Sequence, residues 1–127
     1  ITYEEDYGLR RFLKEVDWES KHRCEDCYRL RLERTAAVAA ETDFEAFSTT
    51  LFTSTHQDHE LIRKVGNQSA AEHNVEFLVR DWRDLAEENQ REAKKMNLYR
   101  QQYCGCIFSE YERYKDTRRH IYRGGGN

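Results

Sequence analysis

Four cysteines stand in two close pairs, Cys24 with Cys27 and Cys104 with Cys106. Thiolates are soft ligands for zinc and iron–sulfur clusters, and close cysteine pairs are typical of metal sites or of redox-active thiols. The first pair falls at the predicted start of a helix, where unpaired backbone N–H groups favour negatively charged ligand atoms. Gly105, within the second pair, permits a loop in which both sulfurs converge. The sequence therefore predicts thiolate chemistry at both pairs.

Several kinds of site fit these cysteines. Cys27 and Cys104 lie much farther apart in the chain than the roughly 15–20 residues of a compact zinc ribbon, so the fold has to bring the pairs together. Buried free thiols, a redox disulfide between Cys24 and Cys27, a structural zinc site and an iron–sulfur or related iron site all remain open. Four thiolates suit zinc and iron–sulfur clusters alike, so the ligand set does not choose between these metals.

The composition excludes several classes of protein. The chain has 127 residues, of which 35% are charged and 13% aromatic, and it contains no proline. It is polar for a globular domain but too aromatic for a disordered one. The net charge of -3 argues against a free-standing, strongly basic nucleic-acid binder. Because the sequence shows neither a membrane-length apolar run nor a signal peptide, we expect a cytoplasmic protein.

The hydrophobic periodicity predicts a chain of helices with two strands among them. The predicted elements are helices over 4–16, 24–42, 57–73, 84–97 and 108–118, and strands over 43–54 and 75–80. A strand, a helix and a second strand in this order form a βαβ unit with parallel strands. Two strands are too few for a parallel sheet, which needs cover on both faces. We therefore expect further strands from outside this sequence or from a partner chain.

Polar residues follow both predicted strands, and ligands of parallel α/β sheets bind beyond the carboxyl ends of the strands. The first strand is expected to end near Thr49 and Thr50. The hydroxyl-rich turn that follows, with Ser54, suits a phosphate or another anion, or else caps the next helix. The second strand leads to Asp81, which is expected to be a metal ligand, a general acid or a helix N-cap. Two histidines, His56 and His59, lie with i, i+3 spacing at the beginning of the intervening helix. They are expected to be metal ligands, or else surface residues without a function.

Long polar side chains lead into the second cysteine pair. Tyr99, Arg100 and Gln101 in this run are expected to line a substrate pocket, and Tyr28 beside the first pair is expected to join it. The alternative is an ordinary surface for the polar residues and a core position for the tyrosines.

Basic residues accumulate toward the C-terminus, with tyrosines among them. Arg113, Lys115, Arg118 and Arg119 would follow the phosphate backbone of a nucleic acid. A solvated helix face explains these residues equally well.

Three segments resemble one protein family in their order and spacing. They are C-E-D-C-Y-R-L-R-L from Cys24, F-S-T-T-L from Phe47, and L-Y-R-Q-Q-Y-C-G-C ending at Cys106. The last segment is specific, and the first supports it independently. Over residues 22–112 the chain resembles the QueH-type epoxyqueuosine reductases.

The resemblance implies a tRNA-modifying enzyme. Members of this family remove the epoxide oxygen of epoxyqueuosine in the tRNA anticodon to give queuosine. They use a [4Fe–4S] cluster with a further metal ion nearby, iron or zinc, and electrons from a donor. Cys24, Cys27, Cys104 and Cys106 match the metal-binding cysteines of the family, and Asp81 is similar in place to an acidic residue of the metal site.

The implied reaction needs a proton donor. Reduction of an epoxide to an alkene takes two electrons and expels the oxygen as water, so an acid beside the oxygen helps it to leave. Asp81 and Tyr99 are the candidates by position and resemblance.

Together, the βαβ unit and the resemblance predict an α/β protein with a partial Rossmann-like (nucleotide-hydrolase-like) parallel sheet and flanking helices, helix-rich and incomplete at the N-terminus. Residues 1–118 are expected to form one metal-binding domain, and 119–127 a flexible tail. Family members typically begin with a strand and a Cys-Cys-Gly-Pro-Cys segment that supplies further ligands, and this sequence does not contain that segment. Two other functions remain open: an iron–sulfur or zinc-binding electron-transfer partner without its own substrate site, and a zinc-stabilised interaction domain.

Overall fold

The computed structural model of the chain describes residues 8–17 and 19–116. The elements are α1 (Leu9–Glu15), α2 (Arg23–Glu41), β1 (Ala46–Phe47), α3 (His59–His73), β2 (Glu76–Phe77), α4 (Ala86–Lys95) and α5 (Ile107–Tyr114), with 3₁₀ turns at Thr50–Thr53 and Arg83–Leu85. This is the helix-rich α/β arrangement that the sequence predicts. Within the described ranges, no helix combines the length and the apolar character that crossing a membrane requires.

Contacts along the chain divide it into two units. The first comprises the chain up to Thr50 together with Asp58–Asp81, and the second comprises Leu51–Gln57 together with the chain from Trp82 onward. Helices α1 to α3 and both strands therefore belong to the first unit, and α4 and α5 to the second. The single metal-binding domain expected over 1–118 stays a prediction, and the expected tail over 119–127 lies outside the described residues.

Strands β1 and β2 pair in parallel, with Ala46 opposite Glu76 and Phe47 opposite Phe77. Because α3 connects them, the predicted βαβ unit is confirmed. The predicted strand over 43–54 is wrong in its extent, since its second half folds into the 3₁₀ turn in which Phe52 is 1% exposed. A short apolar run has the same sequence signature in a buried turn as in a buried strand, so periodicity did not separate the two.

Helix α2 packs against α3 through the core of the first unit. The buried residues of α2 are Tyr28, Leu32, Ala36 and Ala39, which form one stripe along the helix. The facing residues of α3 are Ile62, Val65, Ser69 and Ala70. Burial of these mostly apolar side chains stabilises the α2–α3 pair.

Local signals fix the ends of α3. The Asp58 side chain accepts a hydrogen bond from the backbone N–H of Leu61 at 3.1 Å and caps the helix. Asn74 ends the helix in the left-handed conformation, with φ of 54°. Because Asp58 is the cap, the hydroxyl-rich turn with Ser54 does not cap this helix.

Helix α3 lies directly on β2 at Gly66. A Cβ atom at this position would overlap the ring of Phe77. That ring is 6% exposed and packs against Phe47 at 5.0 Å between ring centroids, so it has little room to move. The contact between α3 and the sheet therefore requires glycine at this position.

We predict that Gly66→Ala lowers the free energy of unfolding by about 1–3 kcal/mol, because the overpacked methyl group outweighs the roughly 1 kcal/mol that alanine gains in helix propensity. Urea denaturation measures the change. Asn67→Ala, on the exposed face of the same helix, is the matched control and should raise stability slightly, because alanine is the better helix former. A Gly66→Ala variant as stable as the parent protein would contradict the packing described here.

Candidate functional site

The first cysteine pair lies at the beginning of α2. Cys24 is exposed and Cys27 half-buried, and their i, i+3 spacing places both thiols on one side of the helix. Glu25 and Asp26 between them form ion pairs with Arg29, at 3.0 Å and 3.7 Å. Arg29 therefore balances the charge of these acidic side chains within the helix. The helix presents the two sulfurs at a structured end, as the sequence predicts.

Tyr28 connects this cysteine turn to the beginning of α3. Its ring is 6% exposed, and its hydroxyl oxygen accepts a hydrogen bond from the backbone N–H of Asp58 at 3.1 Å. A buried hydroxyl that satisfies a backbone donor positions both elements. The expected role of Tyr28 in substrate binding stays a prediction.

Asp81 follows β2 and lies beside a buried histidine. One carboxylate oxygen of Asp81 is 3.7 Å from Nδ1 of His59, the first residue of α3. The Asp81 side chain is 44% exposed and that of His59 only 7%. Trp82, not Asp81, precedes the next 3₁₀ turn. The carboxylate is therefore accessible to a ligand on one side and faces an imidazole on the other.

Sequence reasoning missed this contact with His59. The spacing of the two histidines predicted either a pair of metal ligands or two surface residues without a function. Instead, His59 is buried in the first unit, and His56 is exposed in the second. The Asp58 cap one residue earlier was the available signal, because it fixes where the helix begins and hence which way His59 faces.

The second cysteine pair surrounds Gly105, whose φ of 107° is open to glycine but rarely to other residues. The Cys106 thiol lies close enough to that of Cys104 for the two sulfurs to interact. This contact and burial raise the pKa of Cys106 far above its usual range, although the backbone N–H groups of Ser109 and Phe108 act in the opposite direction. The Cys106 sulfur therefore keeps its proton in the absence of a cation, and a bound metal ion would favour the thiolate.

Hydrogen bonds fix the loop that contains this pair. The backbone N–H of Cys104 donates to the Ser109 hydroxyl at 3.2 Å, and the backbone N–H of Ser109 donates to the Cys106 sulfur at 3.3 Å. Cys106 is thus the N-cap of α5. Gln57 donates from its side-chain amide to the carbonyl oxygen of Cys104 at 3.0 Å. The second unit therefore positions its two sulfurs through a helix cap and a neighbouring segment.

A polar cleft of about 930 Å³ lies in the second unit. Its wall includes the hydroxyl-rich turn, α4, the run before the second cysteine pair, and one arginine of α5. Its lining residues include Ser54, Tyr99, Arg100, Gln101 and Arg113. The structure thus brings the predicted run of Tyr99, Arg100 and Gln101 together with Ser54 and Arg113, which the sequence indicated separately. The side chains supply hydroxyl, amide and guanidinium donors, which suit an oxygen-rich ligand.

Two tyrosines of this run keep their protons at neutral pH. Desolvation and the nearby Tyr114 and Glu110 raise the pKa of Tyr99, which is 62% exposed. A hydrogen bond to Glu110 and desolvation raise the pKa of Tyr103 to about 12. A phenol that retains its proton can donate a hydrogen bond to a ligand, and Tyr99 lies on the cleft wall.

The remaining predicted site residues are found elsewhere. Thr49 and Thr50 belong to the first unit, the former half-buried and the latter exposed. Lys115 is exposed at the end of α5. Arg118 and Arg119 lie outside the described residues.

These features define an α/β protein that carries a close cysteine pair in each of two units and a polar cleft next to the second pair. The chain belongs to the QueH family, because the family model described as Epoxyqueuosine reductase QueH matches residues 1–112.

Several relatives bear the name Epoxyqueuosine reductase QueH. The protein of Dehalococcoides mccartyi is 40% identical over 90% of this chain and 63% of its own length. That of Thermotoga maritima is 38% identical over 75% of this chain and 50% of its own length. That of Helicobacter pylori is 39% identical over 84% of this chain and 32% of its own length. The chain thus spans less than two thirds of each of these relatives.

Proposed function

We propose that this protein reduces epoxyqueuosine in tRNA to queuosine in the cytoplasm, with a [4Fe–4S] cluster and a nearby iron or zinc ion. Membership in the QueH family supports the reaction. The observation that carries the proposal is the position of Cys104 and Cys106. Their convergent sulfurs directly follow the run of residues that lines the polar cleft. A redox group bound there would lie next to a site for an oxygen-rich substrate.

The cysteines fit a thiolate-bound iron group. Cys24 and Cys27 offer two sulfurs from one side of a helix, and Cys104 and Cys106 offer two from a loop. Thiolate ligands suit iron–sulfur clusters and zinc alike. When bound, such a cluster supplies electrons one at a time, and a metal ion beside it polarises the epoxide oxygen. We assign all four cysteines as its ligands in this proposal.

The other residues of the proposed site would supply the protons that the reaction consumes. An epoxide, two electrons and two protons give an alkene and one water, with the electrons coming from a separate donor. Tyr99 places a phenol O–H on the cleft wall, so we propose it as a proton donor. Asp81 is the second candidate, as an acid or as a ligand of the metal ion. His59 would orient its carboxylate, since the two side chains lie 3.7 Å apart.

Substrate recognition is proposed for residues of both units. Ser54, Arg100 and Gln101 would donate hydrogen bonds in the cleft, and Tyr28, Thr49 and Thr50 are the candidates of the first unit. Arg113 and Lys115, with Arg118 and Arg119 farther along the chain, would contact the phosphate backbone of the tRNA.

The experiment that tests the proposal is anaerobic reconstitution with iron and sulfide, followed by turnover on tRNA that carries epoxyqueuosine. We expect bound iron, a broad absorption band in the visible region, and queuosine formation with a chemical reductant. Cys106→Ser should lower both iron content and turnover, because serine oxygen is a poor ligand for a soft site. Thr35→Ser, an equally small change at an exposed position of α2, should retain most of the iron. Iron binding without turnover would favour an electron-transfer partner, and a colourless zinc protein would favour an interaction domain.

We predict that Tyr99→Phe and Asp81→Asn each lower kcat for queuosine formation by about 10²–10⁴-fold, the usual contribution of a positioned general acid. Tyr111→Phe and Asp84→Asn, which change exposed residues of the same types, serve as controls. A residue whose replacement leaves kcat unchanged is removed from the mechanism. If Asp81→Asn also lowers the metal content of the protein, Asp81 acts as a ligand.

Binding of tRNA should depend on salt through the basic residues of α5. We predict that the double variant Arg113→Gln/Lys115→Gln lowers the magnitude of the slope of log K against log salt by about 1–2. Each phosphate contact that is lost reduces the number of counterions released on binding. Filter binding at several salt concentrations measures this slope. Arg10→Gln/Lys14→Gln on α1 makes the same change in net charge and should leave the slope nearly unaltered. Equal slopes for the two double variants would count against a phosphate contact at α5.

A further inference from the structure

A second group of metal-ligating side chains lies in the first unit, away from the cysteines. It comprises Glu33 of α2 and Glu72 and His73 of the last turn of α3. One ligand atom of each residue lies within 4.8 Å of the others. Glu33 is about 9 Å farther along the helix axis than Cys27, since each residue adds about 1.5 Å. The group is therefore separate from the first cysteine pair.

The imidazole of this group has an unsatisfied nitrogen, and neither carboxylate has a cation beside it in the described part of the chain. The Nε2 atom of His73 is buried and has no hydrogen-bond partner in the described part of the chain. Neither Glu33 nor Glu72 forms an ion pair with residues 8–17 or 19–116. A buried imidazole nitrogen without a partner is unfavourable, and one nitrogen of this imidazole lies near both carboxylates. A divalent cation would satisfy all three groups at once.

We propose that Glu33, Glu72 and His73 bind a divalent metal ion of the first transition row, with zinc as its representative. One imidazole nitrogen and two carboxylate oxygens form a donor set that zinc accepts, with water in the remaining position. Ligand atoms around one zinc ion lie about 3–3.5 Å apart, so the side chains, whose ligand atoms lie within 4.8 Å, need to close by at most about 2 Å. Glu72 is exposed, which gives the ion a path from solvent.

Such an ion would connect the end of α3 to the middle of α2. Directly after His73 the chain turns at Asn74, in the left-handed conformation, and enters β2 at Glu76. Bound metal would therefore fix the point at which the chain leaves the helix for the sheet. Its role would be structural, and it is independent of the proposed reductase activity.

The test is a zinc titration of the full chain, followed by long-range ¹H–¹⁵N NMR of the histidine side chains. The thiols also bind zinc, so the Nε2 resonance of His73 is the readout, because it reports this site alone. We expect it to shift and to saturate as one zinc ion binds there. Zinc should also raise the Tm, by about 5–10 °C at a hundredfold excess over the dissociation constant.

Variants separate this site from the thiols. Glu33→Gln and Glu72→Gln should each weaken the response of His73 by more than about a hundredfold, since even outer-shell changes cost roughly 10–100-fold in metal affinity. His73→Gln should lower the zinc content by one ion per chain in elemental analysis. Glu60→Gln, at the other end of α3, and His56→Gln are the controls and should change neither result. An unshifted His73 resonance at zinc concentrations that saturate the thiols would overturn the proposal, and so would equal zinc content in His73→Gln and the parent.

Discussion

The close approach of α3 to β2 at Gly66 is the contact on which the first unit depends. Each strand pairs over only two residues, and a two-stranded sheet of that length is not stable by its hydrogen bonds alone. The missing side chain at Gly66 lets the helix backbone lie against Phe77, which in turn packs on Phe47. The Ser48 hydroxyl adds a hydrogen bond to the carbonyl oxygen of Leu78 at 2.7 Å, just beyond the paired residues. Helix packing, not the ladder, therefore determines the register of the strands.

Helix α3 also connects the sheet to the candidate site residues of the first unit. Because α3 lies against β2, its first residue, His59, lies beside Asp81 after the strand. The backbone just before that residue donates to the hydroxyl of Tyr28, which follows Cys27 on α2. A shift of α3 would thus move the histidine beside the carboxylate and the support of the cysteine turn together. The positions of Cys27 and Asp81 are consequently not independent of the core.

Sequence reasoning predicted the features that follow from local rules. The five helices and the parallel strand pair followed from periodicity, and the convergence of Cys104 and Cys106 followed from the glycine between them. The prediction of secondary structure failed where one sequence pattern is compatible with two structures. Phe52 lies in a short apolar run, which fits a strand and a buried turn equally well. The burial of His59 and the overlap at Gly66 depend on which elements meet in three dimensions, and no local signal encodes those distances. The family resemblance came from motif residues, which hydrophobic periodicity does not identify.

Cys106 has two roles in the second unit, since it belongs to a cysteine pair and is also the N-cap of α5. Oxidation of its sulfur to a sulfinic acid, or alkylation, would alter the acceptor that satisfies the backbone N–H of Ser109. The first turn of α5 would then lose part of its support. Arg113, which lies on this helix and donates to the side chain of Gln102 at 2.9 Å, would lose a fixed position with it. Oxidative damage at one sulfur would therefore also be expressed as a change in the basic surface of the helix.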